Sequence, residues 1–204
     1  MSIVVRTLNP SDIDDAVALQ AACFPPPFPP ELLWTGSHLS RHLEVFPEGQ
    51  LVALREGRVV GSATNLIISE CNFQGHRNWE DTVGGHYLNS HEPAGSTLFG
   101  VDISVHPDVR RHGVGRALYA ARFDLVRHLG MTRYATACRM PDFAASEFDS
   151  VEQFAHEVVG GTRSDRTLTP LLRMGLTFVG VVHDHMEDEE SGNAAALLVW
   201  EPEP

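Results

Sequence analysis

The stretch that most constrains this chain is an apolar run, Leu98 to Val105, which leads within a few residues into Arg110-Arg111-His112-Gly113-Val114-Gly115. A helical pattern then runs from Gly113 to Leu129, with Val114, Leu118, Ala121, Leu125 and Leu129 at helical spacing and Gly130 as the stop. A strand that feeds a glycine turn and a helix aims the helix's first backbone N–H groups at whatever lies in front of the turn. Those donors carry partial positive charge, and glycine lets an anion approach without a Cβ in the way. A pyrophosphate is the expected guest.

Three kinds of nucleotide site compete for such a turn. A Rossmann G-x-G-x-x-G fingerprint requires a small residue where Leu118 stands and an acidic residue about 20 positions on. A P-loop requires a Gly-Lys pair, which is absent here. What remains is R-x-x-G-x-G preceded by V-x-P.

The rest of the chain reads as one α+β domain over residues 1–204. A strand at Ile3–Val5 precedes Ser11-Asp12-Ile13-Asp14, which has the form of a helix capping box, and a first helix carries Ile13, Ala16, Val17 and Ala21 on one face. The PPPFPP run at 25–30 cannot be helical, so a second helix starts around Glu31, with Leu32, Leu33, Leu39 and Leu43 inward. Strand-like runs flank Glu56-Gly57 as a hairpin over residues 50–68. The stretch from Glu70 to Thr97 shows no clear period. Later elements are a strand at Arg133–Cys138, a helix at Val151–Val159, a turn or two near Leu168–Met174, and strands at Leu176–Val182 and Ala194–Trp200. The last two flank an acidic tip, Glu187–Glu190, expected to be a solvated hairpin end.

The motif closely resembles the pyrophosphate-binding motif of the GCN5-related N-acetyltransferases (GNAT). The element order from Ile3 to Trp200 is similar to that family's fold. The pieces WEDTVGGHYLNSHEP, LFGVDISVHPDVRRHGVGRALYAAR, CRMPDF and RTLTPLLRMGLTFVGVV resemble a subgroup of acetyltransferase domains often fused to carbon-nitrogen hydrolases. The resemblance implies a mixed, mostly antiparallel sheet flanked by helices and splayed at strands 4 and 5. It implies acetyl-CoA as co-substrate, its pantetheine arm on the backbone of Ile103, Ser104 and Val105. The pyrophosphate would lie in the turn of Arg110, Arg111, His112, Gly113, Val114, Gly115 and Arg116. In the family an amine attacks the thioester directly, and a strand-four backbone N–H stabilises the oxyanion. Many members have a tyrosine where Leu171 stands, a role that is empty or filled elsewhere here, and some histone-type members a glutamate where Phe99 stands, a site that is non-ionisable here.

The carboxylate of the strand-four run is Asp102, the candidate catalytic group. Alternation puts it on the face opposite Val101 and Ile103, where catalysis and structural hydrogen bonding compete. His86 and Tyr87 are expected to be the nearest suppliers of its hydrogen bonds and, with Arg139 after the next strand, the candidates to touch substrate. His183 and His185 form an H-x-H that would aim both rings to one face of a strand. Without a third ligand they read as exposed histidines, and no metal is expected.

A formal charge of -12 and pI near 5.3 exclude general nucleic-acid binding and favour amine-bearing partners. Cys23, Cys71 and Cys138 suit neither a disulfide framework nor a zinc site. No apolar run is long enough to span a membrane and no signal core follows the start, so the expected location is the cytoplasm. The expected function is N-acetyl transfer to a small-molecule amine. The alternative is a non-catalytic acyl-CoA-binding or regulatory module partnering an amidohydrolase. A homodimer is an open option.

Overall fold

The structure is a computed structural model that describes residues 2–26, 28–76 and 78–203. Pro27 of the proline run and Arg77 of the aperiodic stretch lie outside the described residues. Strands β1 (Ile3–Thr7), β2 (Leu51–Arg55), β3 (Arg58–Ile68), β4 (Thr97–Val105), β5 (Arg133–Arg139), β6 (Thr177–Val182) and β7 (Ala195–Trp200) form one sheet in the order β1-β2-β3-β4-β5-β7-β6. Every neighbouring pair is antiparallel except β4 and β5, as a mixed α+β sheet requires.

The helices are α1 (Ile13–Cys23), α2 (Gly36–Val45), α3 (Glu70–Gln74), α4 (Trp79–Val83), α5 (Val114–Leu129), α6 (Val151–Val159) and α7 (Leu168–Arg173). The pleat divides them between two faces, and β2 shows the division: Leu51 and Ala53 pack with Val114 and Leu118 of α5, while Val52 packs with Ala16, Trp34 and Leu39 from the α1–α2 side. Farther along α5, Tyr119, Phe123 and Val126 join Leu98 and Tyr134 in the largest core cluster. Among the described residues no helix is long and apolar enough to cross a membrane.

Several local expectations change. The capping box before α1 is built by Asn9 and Asp12, with Asn9 N–H donating to Asp12 Oδ2 at 2.8 Å, because a 3-10 turn over Pro10–Asp12 precedes the helix. α2 starts at Gly36, where Thr35 Oγ1 accepts from His38 N–H at 3.3 Å; Leu33 is extended, which ends the single 3-10 turn of Pro30–Leu32. The aperiodic stretch holds two five-residue helices, α3 and α4, capped by Ser69 and Asn78. Fewer than two turns cannot display a 3.6-residue period.

Candidate active site

β4 runs beside β5 only from Thr97 to Gly100, paired with Arg133 to Thr136, whereas its ladder with β3 continues to Val105. Thr136 Oγ1 donates to the Gly100 carbonyl at 3.0 Å at the point of separation. Gly100 has to be glycine because a Cβ there would lie 2.0 Å from Tyr134 Oη. Beyond it the two strands splay, as the resemblance implied.

The register identifies which backbone groups face the gap. His106 N–H donates to Val60 O at 3.0 Å, so residues 102, 104 and 106 turn their backbone groups toward β3. Ile103 and Val105 then turn theirs toward the edge that β5 has left. Ser104, expected to share that edge, has its backbone committed to β3 by the same alternation.

A β-bulge sits at the root of the splay: Thr64 pairs with Asp102 but Asn65 pairs with Gly100, which leaves Val101 unmatched. Bulges re-aim side chains, and this one overturns the expected alternation. Val101 packs with the cluster that holds Trp34, and the Asp102 carboxyl also faces Trp34 and Gln20, so the two consecutive residues share the α1–α2 side. Ile103 faces α5.

Burial raises the Asp102 carboxyl to a pKa of about 6, against the opposing pull of the Arg122 charge and of the neighbouring Ser104, Gln20 and Trp34 side chains. Ser104 Oγ lies 3.4 Å from Oδ2. Trp34 is itself fixed by its backbone N–H, which donates to Gln20 Oε1. These groups, not His86 or Tyr87, surround the carboxyl. His86 instead packs against Trp34, Trp79 and His38 at ring distances of 5.6, 5.4 and 5.0 Å, and Tyr87 stacks edge-on against His38 at 4.8 Å on the surface.

At the far end of the open edge, the Arg110 Nε–H donates to Val105 O at 3.4 Å. The chain then turns through two left-handed residues, Arg111 at φ 65° and Gly113 at φ 87°, into α5. The first bond within the helix is Ala117 N–H to Gly113 O at 2.9 Å, so the N–H groups of Val114, Gly115 and Arg116 are left for other partners. Arg110, Arg111, His112, Gly113 and Arg116 are exposed around them, and Val114 is buried and anchors the turn. Nothing but Val105 Cγ2, at 4.0 Å, would meet a Cβ on Gly115. The arrangement is a donor-lined, cation-flanked turn that follows directly on the Ile103–Val105 edge.

Arg139 is held rather than free: Nε and Nη2 pair with Asp188 at 2.7 and 2.5 Å, and Nη2 reaches Glu190 at 3.1 Å. Burial opposes its charge, but the two carboxylates more than offset that and raise its pKa. The acidic tip is solvated at Glu187, Glu189 and Glu190, whereas Asp188 is buried and clamped. β6 stops at Val182, Asp184 turns at φ 48°, and the H-x-H separates: His183 pairs with Glu152, while His185 is buried against His76 at 5.3 Å. Among the described residues no group of three or more His, Cys, Asp or Glu is arranged to hold a metal ion. Leu171 and Phe99 are buried in core clusters.

Sequence reasoning missed Gln20, Trp34 and Arg122. Arg122 had a readable signal. It stands four residues after Leu118 and eight after Val114, on the stripe of α5 that the sheet covers, and it is 1% exposed.

The chain matches the Acetyltransferase (GNAT) family over residues 13–148. It is 37% identical over 201 residues to the uncharacterized N-acetyltransferase YkwB of Bacillus subtilis (strain 168), covering 98% of this chain and 88% of that one. It is 32% identical over 200 residues to the probable hydrolase YhcX of the same strain, covering 97% of this chain but spanning only 38% of that protein's length. Among solved structures, the GphF GNAT-like decarboxylase in complex with isobutyryl-CoA superposes with a TM-score of 0.79 at 25% identity, covering 97% of this chain and 98% of that one. The loading GNATL domain of CurA from Lyngbya majuscula gives 0.80 at 15% identity over 98% of both chains, a likeness of fold. With its splayed strands, glycine turn and these relatives, the chain belongs to the acetyltransferase (GNAT) family of acyltransferases.

Proposed function

We propose that this chain transfers an acetyl group from acetyl-CoA to a small-molecule amine by direct attack. The observation that carries the reading is the unbroken run from the open edge at Ile103 and Val105 into the donor-lined turn at Arg110–Arg116. The edge offers strand-like pairing to the amides of a pantetheine arm. The orphan N–H groups of α5, with three exposed arginines, suit a pyrophosphate in a chain that is otherwise strongly acidic.

The amine nitrogen forms the new C–N bond to the thioester carbonyl carbon, the C–S bond breaks, and the thiolate of coenzyme A leaves. One proton must depart the nitrogen. Asp102, at the bulge where the open edge begins, takes it, and a pKa of about 6 leaves the carboxylate ionised yet basic at neutral pH. Leu171 offers no proton to the departing sulfur, but a thiol with a reference pKa near 8.5 leaves tolerably as the thiolate.

The test is thiol release from acetyl-CoA across amines, polyamines and peptides. The chain contains no lysine, so release cannot come from acylation of its own ε-amines. Saturable, amine-dependent release supports the proposal. Tight binding with no release on any acceptor leaves an acyl-CoA-binding module.

The likeness to the GphF decarboxylase, with the empty tyrosine position, favours a second reading: loss of CO2 from a carboxyacyl-CoA, the resulting enolate taking a proton. Methylmalonyl-CoA supplied without any amine separates the two, because only decarboxylation converts it to propionyl-CoA.

A further inference from the structure

Arg122 is the anomaly of the core: a guanidinium on the sheet-facing stripe of α5 that makes no ion pair among the described residues. A charge so placed is costly unless bonded. Its Nη2 donates to the Asp102 carbonyl at 2.5 Å and to the Thr64 carbonyl at 3.3 Å, the two residues paired next to the bulge. Its plane is flanked by the rings of Tyr119 and Tyr134, with centroids 5.0 and 5.5 Å away, which add cation–π support. Nε has no partner. Surface steering or core packing does not require this geometry; holding one peptide group does.

The Asp102 carbonyl belongs to the same peptide unit as the Ile103 N–H. That unit is planar, and in a trans peptide the two groups point in opposite directions. A guanidinium that pins the carbonyl on the β3 side thereby aims the Ile103 N–H into the splay. It also polarises the N–H, since a cation on the oxygen draws charge through the conjugated unit.

We infer that Arg122 is a positioning residue: through the Asp102 carbonyl it orients the Ile103 amide as the donor for negative charge developing on the thioester oxygen. The inference rests on the acyl-transfer reading of the cleft. Arg122 touches no substrate and acts from the opposite side of the sheet, so its loss should lower turnover far more than coenzyme affinity.

The experiment follows the Ile103 amide signal by 15N NMR while acetyl-CoA is titrated into the full chain, with calorimetry and thiol-release kinetics on the best amine of the panel. In the parent, the Ile103 proton should move downfield on saturation. Arg122→Met should bind acetyl-CoA within about threefold of the parent, lose most of that shift, and release thiol about 10²-fold more slowly, the cost of a misplaced oxyanion donor. Arg122→Lys, which keeps the charge but not the reach to both carbonyls, should fall between them, and it carries the comparison if the methionine variant does not fold. The titratable groups that act on the Asp102 carboxyl are Cys23 of α1 and, from across the sheet, Arg122 of α5. Removing the guanidinium should therefore also move the rise of kcat/KM with pH upward from about 6, which a purely structural role would not do. A folded variant with parental shift, turnover and pH profile overturns the inference alone. A parent that does not bind acetyl-CoA overturns the reading of the cleft, and this proposal with it.

Discussion

The Trp34 side chain neighbours both Asp102 and His86: its ring meets the His86 imidazole edge-on at 5.6 Å, and it is among the groups that hold down the Asp102 pKa. A buried tryptophan thus joins the surroundings of the carboxyl to the cluster of His38, His86 and Tyr87.

Asp102→Asn keeps the shape and removes the charge. Turnover should fall by about 10² if general-base chemistry depends on it, while acetyl-CoA affinity stays within twofold. The parent's activity should rise with pH through about 6, and the variant should lose that limb. Because the folded pKa is raised above the unfolded one, the carboxyl's contribution to stability is fully present below about 3.8 and is lost as pH rises through about 6. The melting temperature of the variant relative to the parent should therefore improve across that window. Parental activity with an unchanged profile removes Asp102 from the mechanism.

Gly113→Val tests the turn. A Cβ at this position would find only Ile3 Cδ1, at 4.0 Å, so crowding within the protein is not the issue. The cost is backbone: φ is 87°, and a β-branched residue in left-handed geometry costs about 1–2 kcal/mol. The side chain would also stand where an anion must approach the α5 amides. Calorimetry should show at least a tenfold loss of acetyl-CoA affinity, a larger effect than the fall in stability; equal binding would move the pyrophosphate elsewhere.

Arg139→Ala separates a clamp from a substrate contact. The side chain of Asp188 is 4% exposed, and removing its guanidinium partner strands a buried carboxylate. Breaking such a pair costs about 3 kcal/mol or more. The melting temperature should drop, and KM for the amine should change less than twofold. A large KM increase in a stable variant would make Arg139 an acceptor-binding residue.

Acid should destabilise the fold through three neutral histidines. Burial lowers His42 and His76 to about 4 and His185 to about 3, with neighbouring His76 also depressing His185 and Asp188 opposing. These folded values lie below the unfolded one of 6.5, so their contribution is fully present above pH 6.5 and is lost as pH falls toward 4 and then 3. Unfolding midpoints measured from pH 7.5 to 4 should fall steadily, and His185→Phe, which keeps a ring against His76, should shallow the slope. An unchanged slope would show that His185 protonates as readily in the folded chain as in the unfolded one.

Residues whose structure is set by their near neighbours could be read from the chain alone. Leu98 to Val105 and Arg110 to Gly130 were legible as strand, turn and helix because glycine conformational freedom, apolar spacing and orphan helix donors act within a few residues. The hairpin at Glu56-Gly57 and the order of strands and helices followed from the same short-range rules. Tertiary packing decided the rest. A single unmatched residue, Val101, moved Asp102 to the α1–α2 face, and a bulge has no local signature because it is defined by a partner strand. Arg122 acquired its role from a carbonyl 58 positions away at Thr64 and another 20 away at Asp102. His185 and Asp188, expected in water, were buried by contacts with His76 and Arg139, which are distant in the chain. The motif determined where an anion can sit; which side chains surround the reacting atoms depended on segments brought together only when the sheet closed, since burial and charge belong to the assembled neighbourhood and not to the residue.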